Sequence, residues 1–495
     1  MSSAEEEVRL SMRVMVNKEK TKVLFGIVDN NLADIMLSFL TLPLGRIIRL
    51  LEKHYGDHDE APVVGSLSKL YKGLINLDSS HFWTEEGKLM LLDPRSSLAD
   101  ECRKLKININ DDQPQILFRC EYSKCVSKKE NVTMYFDTQR CSCGKLISVQ
   151  IGMRGSNSTQ VGEVFTAESM SFLISDDLRM WPNVIGSIVH IMNELGITDT
   201  VGAEEMTVTV GFNEIMDLLK GSLLSRTPLT DLILGKKQIH HSSSIAKSEP
   251  ITLPPPMEIG ETTSIVSKKM KVKAMVQKST NKFLFVQAEE DFVDFLFSFL
   301  TIPLGKVESL FGSNTSLGRI DNLYRSIENL NADKYLKTAC IKYMLLNPVL
   351  PPMYLSKNQI FSLTEQESPQ VYYLKKNFYF TDLPRTYYHS NQWVHLKDPK
   401  GKESYVKGPK MFMVTDDLTV TPLCMLSTIS TLNELRIPFS DVEERELDVG
   451  LEEGLSILKA SLTSTSSLTN GMIHISKKQP KQEHIHQMKK PKQEL

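Results

Sequence analysis

The sequence predicts an α+β fold made of two tandem homologous arms. The segment Met36–Gly45 returns at residues 296–305, with seven of ten residues identical. Three shorter segments return later in the same order: residues 90–94 at 344–348, residues 172–178 at 412–418, and residues 193–197 at 433–437. Within each copy, apolar residues recur with period two in some segments and with helical period in others, which is typical of strands and helices. Collinear matches of this kind indicate an internal duplication.

The matches set the predicted boundaries of the two arms. The first arm covers residues 10–235 and the second covers residues 267–476. Residues 236–266 contain Pro254–Pro256 and show no periodicity, so we expect a flexible linker there. Residues 477–495 carry six lysines and two glutamates, which predicts a disordered, lysine-rich tail.

Each arm is predicted to begin with a β-hairpin followed by a helix. In the second arm, Val272, Ala274 and Val276 alternate with other residues, and a polar turn then leads to the apolar run 283–286. The next apolar residues lie on one helical face in each arm. They are Leu32, Ile35, Met36, Phe39 and Leu40 in the first arm, and Phe292, Phe295, Leu296, Phe299 and Leu300 in the second. Pro43 and Pro303 follow, where a proline starts a second helix or kinks the first.

The end of each arm predicts a β-α-β-α unit. In the first arm, a strand at 172–174 and a turn at Asp176–Asp177 precede a helix, a strand at 207–210 and a final helix over 212–223. The first of these helices carries an apolar stripe in both arms. The stripe consists of Ile185, Ile188, Val189, Met192 and Leu195 in the first arm, and of Met425, Ile429, Leu432 and Leu435 in the second.

Four cysteines in the first arm form a candidate metal site. Cys120, Cys125, Cys141 and Cys143 lie within 24 residues, in a β-rich insertion at about 103–155. A structural zinc ion is held by four soft ligands, usually supplied by two short turns, and Gly144 suits such a turn. Neither pair has the usual Cys-x-x-Cys spacing, so reduced structural cysteines or a redox cysteine remain alternatives. The second arm has no equivalent cluster.

Several acidic residues are candidates for chemistry, but local structure explains them better. We interpret the repeated pairs Asp176–Asp177 and Asp416–Asp417 as turn and helix-cap residues. We also interpret Asp34 and Asp294 as capping residues, because each follows a polar residue by three positions. The sequence also lacks phosphate-loop, dinucleotide-binding and metalloprotease motifs. We therefore predict no catalytic or cofactor-binding residues.

Composition limits the class of protein. The chain has 495 residues and a formal net charge of −2, which argues against binding nucleic acid or membranes by bulk charge. The most apolar stretch, residues 292–304, is shorter than the roughly 20 residues of a membrane-spanning helix. The acidic N-terminus has no apolar core like that of a secretory signal. We expect a soluble intracellular protein, in the cytoplasm or the nucleus.

The repeated blocks resemble a known family. Residues 22–45, their copy at 282–305, the Asp-Asp-Leu blocks and the Cys141–Gly144 segment are similar to the plant domain-of-unknown-function family 674 (DUF674). The resemblance covers residues 12 to 470 and implies a plant origin, but no activity.

The leading functional hypothesis is a non-enzymatic interaction or scaffold protein that binds other proteins and has a structural zinc site. One alternative is nucleic-acid binding through a zinc-ribbon-like insertion. It is favoured by the basic residues Arg103, Lys104, Lys106, Arg119, Lys124, Lys128, Lys129, Arg140, Lys145 and Arg154. The other alternative is an enzyme with an unrecognised active site.

Overall fold

The computed structural model describes residues 8–56, 61–122, 125, 132–151, 162–235, 268–369, 371–374, 379–381 and 391–472. The predicted linker at 236–266 and the predicted tail at 477–495 lie outside the described residues. Here the first half means the described residues up to 235, and the second half those from 268.

The protein is a mixed α and β structure with several antiparallel sheets, which confirms the predicted mixture. The strands are β1 Leu10–Val16, β2 Val23–Asp29, β3 Leu117–Arg119, β4 Val132–Met134, β5 Val149–Ile151, β6 Ser171–Ser175, β7 Met180–Pro182, β8 Glu204–Val210, β9 Met270–Gln277, β10 Phe283–Glu289, β11 Val371–Leu374, β12 Tyr379–Thr381, β13 Asn391–Val394, β14 Met411–Thr415, β15 Val420–Pro422 and β16 Val442–Val449.

The helices lie between these strands in both halves. They are α1 Asn30–Ser38, α2 Leu44–Tyr55, α3 Leu67–Asn76, α4 Glu85–Leu92, α5 Ala99–Cys102, α6 Ile188–Glu194, α7 Phe212–Leu224, α8 Pro228–Leu234, α9 Glu290–Ser298, α10 Leu304–Phe311, α11 Arg319–Asn329, α12 Ala332–Tyr335, α13 Ala339–Leu346, α14 Met425–Glu434, α15 Leu451–Thr463 and α16 Ser467–Met472. None of the helices in the described residues is long and apolar enough to cross a membrane.

Two five-stranded antiparallel sheets form the centre of the fold. The first has the strand order β7-β6-β2-β1-β8, and the second has the order β15-β14-β10-β9-β16. In β1, buried residues alternate with more exposed ones, because one face of the strand packs on the core. The hairpin turn after β1 is held by Asn17, whose side-chain oxygen accepts the N–H groups of Thr21 and Lys22, each at 2.8 Å. Two further sheets have three strands each, in the orders β4-β3-β5 and β12-β11-β13.

The two halves meet at the repeated block. Pro43 and Pro303 form an antiparallel bridge, in which Leu44 donates to the carbonyl of Ile302 at 3.0 Å and Leu304 donates to the carbonyl of Leu42 at 2.9 Å. Each proline directly precedes a helix, α2 or α10, so it starts a second helix in its half. The main cluster of buried apolar side chains contains residues of both halves. The halves therefore share one hydrophobic core.

The apolar stripes predicted on the helices after β7 and β15 are not buried as expected. Helices α6 and α14 are present, but 69% of Val189 and 80% of Met425 are exposed. In α14, Leu432 packs with Leu284, Phe285 and Met413 in a small cluster separate from the main core. Helix α14 thus contacts its sheet mainly through Leu432, and the rest of its apolar side chains are exposed.

Candidate metal centre

A small sheet in the first half positions the four cysteines. Cys120 follows directly after β3, the central strand of the sheet β4-β3-β5. The second pair lies at the tip of a hairpin, where Arg140 and Leu146 form an antiparallel bridge. At this tip, Cys141 donates its N–H to the Lys145 carbonyl at 2.8 Å, and Gly144 donates to the Cys141 carbonyl at 2.9 Å. Gly144 has a φ of +86°, a conformation that favours glycine.

The fold brings all four predicted ligands together. The sulfur atoms of Cys120, Cys125, Cys141 and Cys143 all lie within 4.8 Å of one another. The sulfurs of Cys120 and Cys143 are 3.6 Å apart. Four thiolates bound tetrahedrally to one zinc ion, at about 2.3 Å each, would lie about 3.8 Å from one another. The four cysteines lie close enough together to hold a metal ion.

Backbone N–H groups point at two of the sulfur atoms. Tyr122 donates its N–H to the sulfur of Cys120 at 3.4 Å. The N–H of Lys145 donates to Cys143, and this bond lowers the pKa of the Cys143 thiol to about 7. In each case the donor is two residues after the cysteine. Such N–H groups stabilise a negatively charged sulfur, which is the form that binds metals.

Burial has the opposite effect on two of the cysteines. Cys120, Cys125 and Cys141 are buried together with Ile147, while Cys143 is exposed. Burial raises the pKa of the Cys120 thiol to about 12, and it also raises that of Cys125. Because metal binding requires the thiolates, a bound divalent cation would have to offset the desolvation of these two sulfurs. The donor set, with four soft sulfurs and no other ligand type, is the one that zinc takes in closed structural sites.

The cysteine-bearing sheet is attached to the second half. Val132 of β4 forms a parallel bridge with Leu396, and Lys397 donates its N–H to the Val132 carbonyl at 2.8 Å. The ammonium group of Lys397 donates to the Arg140 carbonyl at 2.7 Å, next to Cys141. Val394 at the end of β13 packs against Val132 in the core of the small sheet. The spacing of the cysteines gave no signal for this attachment, because it joins residues about 260 positions apart.

The capping interpretation of Asp34 is wrong. Helix α1 is capped by Asp29, whose carboxylate accepts the Leu32 N–H at 2.9 Å. The buried carboxylate of Asp34 instead accepts the N–H groups of residues 164–166 and the Thr166 hydroxyl, at 2.6 to 3.2 Å. Asp34 therefore organises a distant loop, and its hydrogen-bonding capacity is used by that loop. A pattern of three-residue spacing cannot distinguish this role from a cap.

The capping interpretation of Asp294 is wrong for the same reason. Its fully buried carboxylate accepts the N–H groups of Tyr405 and Val406 at 2.7 and 2.8 Å, as well as the side chains of Ser356 and Asn358. Burial raises the pKa of Asp294, and these four hydrogen bonds act against that rise. In the second half, Asp294 thus binds residues of distant loops, as Asp34 does in the first half.

The Asp-Asp pairs occupy turns and caps, as predicted. Asp176 accepts the N–H and hydroxyl of Thr230, each at 2.8 Å, at the start of helix α8. Asp416 accepts the N–H of Thr469 at 2.8 Å, at the start of helix α16. Asp177 accepts the hydroxyl of Ser175 and the guanidinium of Arg179 within its own turn. These contacts are structural and involve none of the four cysteines.

Sequence patterns missed a buried arginine in the first half. Arg46, whose side chain is 1% exposed, contacts the carboxylates of Asp93, Asp111 and Asp112. The copy of this position is Lys306, which donates to the side chain of Asn347 at 2.6 Å. The repeated block has a cation after its glycine in both copies, and this could have pointed to the buried arginine. Its acidic partners could not be found in the same way, because they are distant in sequence.

Comparison with known proteins agrees with the resemblance of the repeated blocks. The model of the family described as "Protein of unknown function (DUF674)" matches residues 6–450, nearly the whole chain. No curated protein and no solved structure matches the chain. Because the match covers most of the length, the chain belongs to the DUF674 family.

Proposed function

We propose that this protein is an intracellular, non-enzymatic interaction or scaffold protein of plants, in which four cysteines hold a structural zinc ion. The observation that carries the proposal is the convergence of the four sulfur atoms within 4.8 Å. Three of the four cysteines are buried, so a bound ion would be largely closed off from solvent and from substrate. A closed site of this kind supports structure, whereas a catalytic zinc site keeps an open position.

The zinc ion would brace the contact between the small sheet and the second half. The turn that carries Cys141 and Cys143 is the one whose Arg140 carbonyl accepts the Lys397 side chain. Fixing the sulfurs would fix this turn and, with it, the surface formed by both halves. Structural zinc sites contribute folding free energy directly, so loss of the ion should loosen this region first.

The interaction role is supported by the two helices with exposed apolar faces. Each helix exposes two adjacent apolar side chains, whereas exposed apolar residues on a protein surface are usually scattered singly. The pairs are Ile188 and Val189 in α6, and Met425 and Leu426 in α14. We propose that the chain is a tandem duplication of one arm, a proposal supported by the matching strand orders of the two large sheets. The two helices would then be equivalent surfaces, each binding an apolar segment of a partner protein.

Metal analysis of the purified full chain tests the zinc site. We expect one zinc ion per chain, and Cys141→Ser should lose the zinc ion and lower the unfolding temperature. Cys340→Ser is the matched control, because Cys340 is exposed and lies outside the cluster. A wild-type chain without stoichiometric metal, or a Cys141→Ser variant as stable as the control, would contradict the site.

Affinity purification from plant tissue tests the interaction role. The full chain and a double variant, Val189→Lys with Met425→Lys, would serve as bait, and captured proteins would be quantified for both. We expect specific partners to be reduced at least fivefold with the variant. His190→Ala with Ser430→Ala, on the same helices, is the control and should capture the same partners as the wild type. Equal capture by all three baits would refute the proposed surfaces.

A further inference from the structure

An exposed tryptophan lies where the two halves pair outside the main junction. Phe82 and Val406 form an antiparallel bridge, in which Trp83 donates its N–H to the Tyr405 carbonyl at 3.1 Å. Alternation along this short pairing buries Phe82 and Val406 and turns Trp83 outward. Trp83 is 37% exposed. Its N–H donates to the Ser404 hydroxyl at 3.2 Å, which fixes the orientation of the ring.

Two lysines accompany this indole. The ammonium nitrogen of Lys402 lies 5.8 Å from the centre of the Trp83 ring, and that of Lys407 lies 5.9 Å from it. Both lysines are exposed. A cation this close to an aromatic face is attracted to it, so the two ammonium groups are held beside the ring while they remain accessible to solvent.

The tryptophan and the cysteine-bearing hairpin lie around the same turn. The carbonyl of Pro399 accepts the Thr84 hydroxyl at 2.6 Å and the Gln139 amide at 3.1 Å. Thr84 follows Trp83, and Gln139 precedes Arg140. Contacts of this kind bring the segments that carry six basic residues next to one another, and we name these residues the basic strip. It consists of Arg140, Lys145, Lys397, Lys402, Lys407 and Lys410.

The charge of the basic strip is not neutralised locally. Arg140, Lys397 and Lys410 donate to main-chain carbonyls, which carry no net charge. Within the described part of the chain, no side-chain nitrogen of the basic strip forms a salt bridge with a carboxylate, although Glu290 accepts the backbone N–H of Lys410 at 3.2 Å.

Two of the acidic residues near the basic strip are engaged elsewhere. Asp398 pairs with the buried Lys400 at 3.1 Å, and Glu86 accepts the Thr138 hydroxyl. Glu85, Asp137 and Glu403 are exposed near the strip, and Glu290 contacts Lys410, so these acids reduce the positive charge of the six cations without cancelling it. The overall charge of −2 thus conceals a local surface with an excess of positive charge.

We propose that the basic strip binds single-stranded nucleic acid, with a base stacked on Trp83 and phosphates on the flanking lysines. Stacking on an exposed aromatic ring beside cations is the mode by which proteins hold single strands without sequence preference. An acidic peptide would use the lysines but would gain little from the indole. Tyr122, 48% exposed beside the cysteine cluster, offers a second ring toward the other end of the strip. The inference goes beyond the proposed function, because it adds a nucleic-acid partner to the protein partners.

The predicted zinc-ribbon mode differs from this strip in its residues. Among the basic residues that favoured it, Lys124, Lys128, Lys129 and Arg154 lie outside the described residues. Arg103 pairs with Asp100, and Arg119 donates to the Cys120 carbonyl. Only Arg140 and Lys145 join the basic strip, and its other cations come from the second half.

Fluorescence anisotropy of a labelled 20-nucleotide oligothymidine, titrated with the full chain at several salt concentrations, tests the inference. We expect binding that weakens with salt. Lys402→Glu with Lys407→Glu should weaken it at least tenfold and make the salt slope shallower by about 1.4, for two lost phosphate contacts. Trp83→Leu should weaken binding roughly tenfold, as expected for one lost stacking contact, with little change in the salt slope.

Controls separate this inference from the proposed function. Lys269→Glu with Lys271→Glu changes the charge equally at exposed sites far from Trp83 in the sequence, and should bind like the wild type. Absence of salt-dependent binding by the wild type, or equal binding by both lysine variants, would overturn the inference. Displacement of the oligonucleotide by polyglutamate at equal charge concentration would also overturn it. None of these outcomes affects the zinc content or the protein partners, which are measured separately.

Discussion

Glu308 on helix α10 should hold a proton at neutral pH. Its side chain is fully buried and contacts the Thr315 hydroxyl at 2.9 Å. The same hydroxyl contacts a carboxylate oxygen of Asp321. One hydroxyl has a single hydrogen to donate, so it can serve only one of two ionised carboxylates. Asp321 also accepts the N–H of Thr315 at 3.3 Å, and Arg325 lies 4.0 Å away, so Glu308 is the group that keeps its proton.

The pKa of Glu308 gives the size of the effect. Burial, with Asp321 nearby, raises this pKa from 4.5 to about 9. A group whose pKa is raised by folding stabilises the protein below its unfolded pKa and loses that contribution as the pH rises to the folded pKa. The free energy of unfolding should therefore fall by about 1.4 kcal/mol per pH unit between pH 4.5 and 9. At pH 7 the accumulated loss is about 3 kcal/mol.

Glu308→Gln removes the titration and keeps the shape. The amide of the new side chain can donate to the Thr315 hydroxyl, as the protonated carboxyl does. We expect the variant to be about 3 kcal/mol more stable than the wild type at pH 7 and nearly equal to it at pH 4.5. Urea unfolding of both chains at pH 5, 6, 7 and 8 measures this difference. Glu328→Gln is the control, because Glu328 is exposed on the neighbouring helix α11. A difference that does not grow with pH would refute the reasoning.

Two further predictions concern the junction and the buried arginine. In Gly305→Ala, the new Cβ would lie 2.5 Å from the Leu345 carbonyl oxygen of its own half and 3.0 Å from that of Leu40 across the junction, against 3.0 Å for the nearest atoms in Gly45→Ala. Gly305→Ala should therefore cost about 1–3 kcal/mol and Gly45→Ala less; thermal unfolding in the reverse order would contradict this. Arg46→Ala leaves the buried Asp112 without its cation and should cost about 3–5 kcal/mol. Arg49→Ala, on the exposed side of the same cluster, should cost about 0–1 kcal/mol, and equal losses in urea unfolding would be a contrary result.

Local features of this protein were predictable from the sequence. Alternation identified β9, and helical periodicity identified α1 and α9, because these patterns arise from the geometry of a single segment. The four cysteines were also recognisable, since cysteines crowded into 24 residues are unusual in a chain with seven in all. We expected the four cysteines to converge in space, and the turn at Gly144 is consistent with that expectation.

Features that depend on distant segments were not predictable in the same way. The three-residue spacing before Asp34 resembles a cap, but the donors that its carboxylate binds lie 130 to 132 residues away. Helix α6 has an apolar stripe, yet whether a stripe is buried depends on what the rest of the chain places over it. The basic strip combines residues of the small sheet with residues of the second half. Periodicity carries no information about such pairings.

The junction gives a physical reason for the close similarity of the repeated block. Pro43 pairs with Pro303, its own copy, so each copy of the block is the surface against which the other packs. A substitution in one copy of the block must still fit the other copy, and the reverse is also true. Residues at a two-fold symmetric interface are constrained in the same way. Gly45 and Gly305 show the constraint directly, because each allows close approach of the opposite half. The pairing of the two copies at this junction supports the proposed duplication.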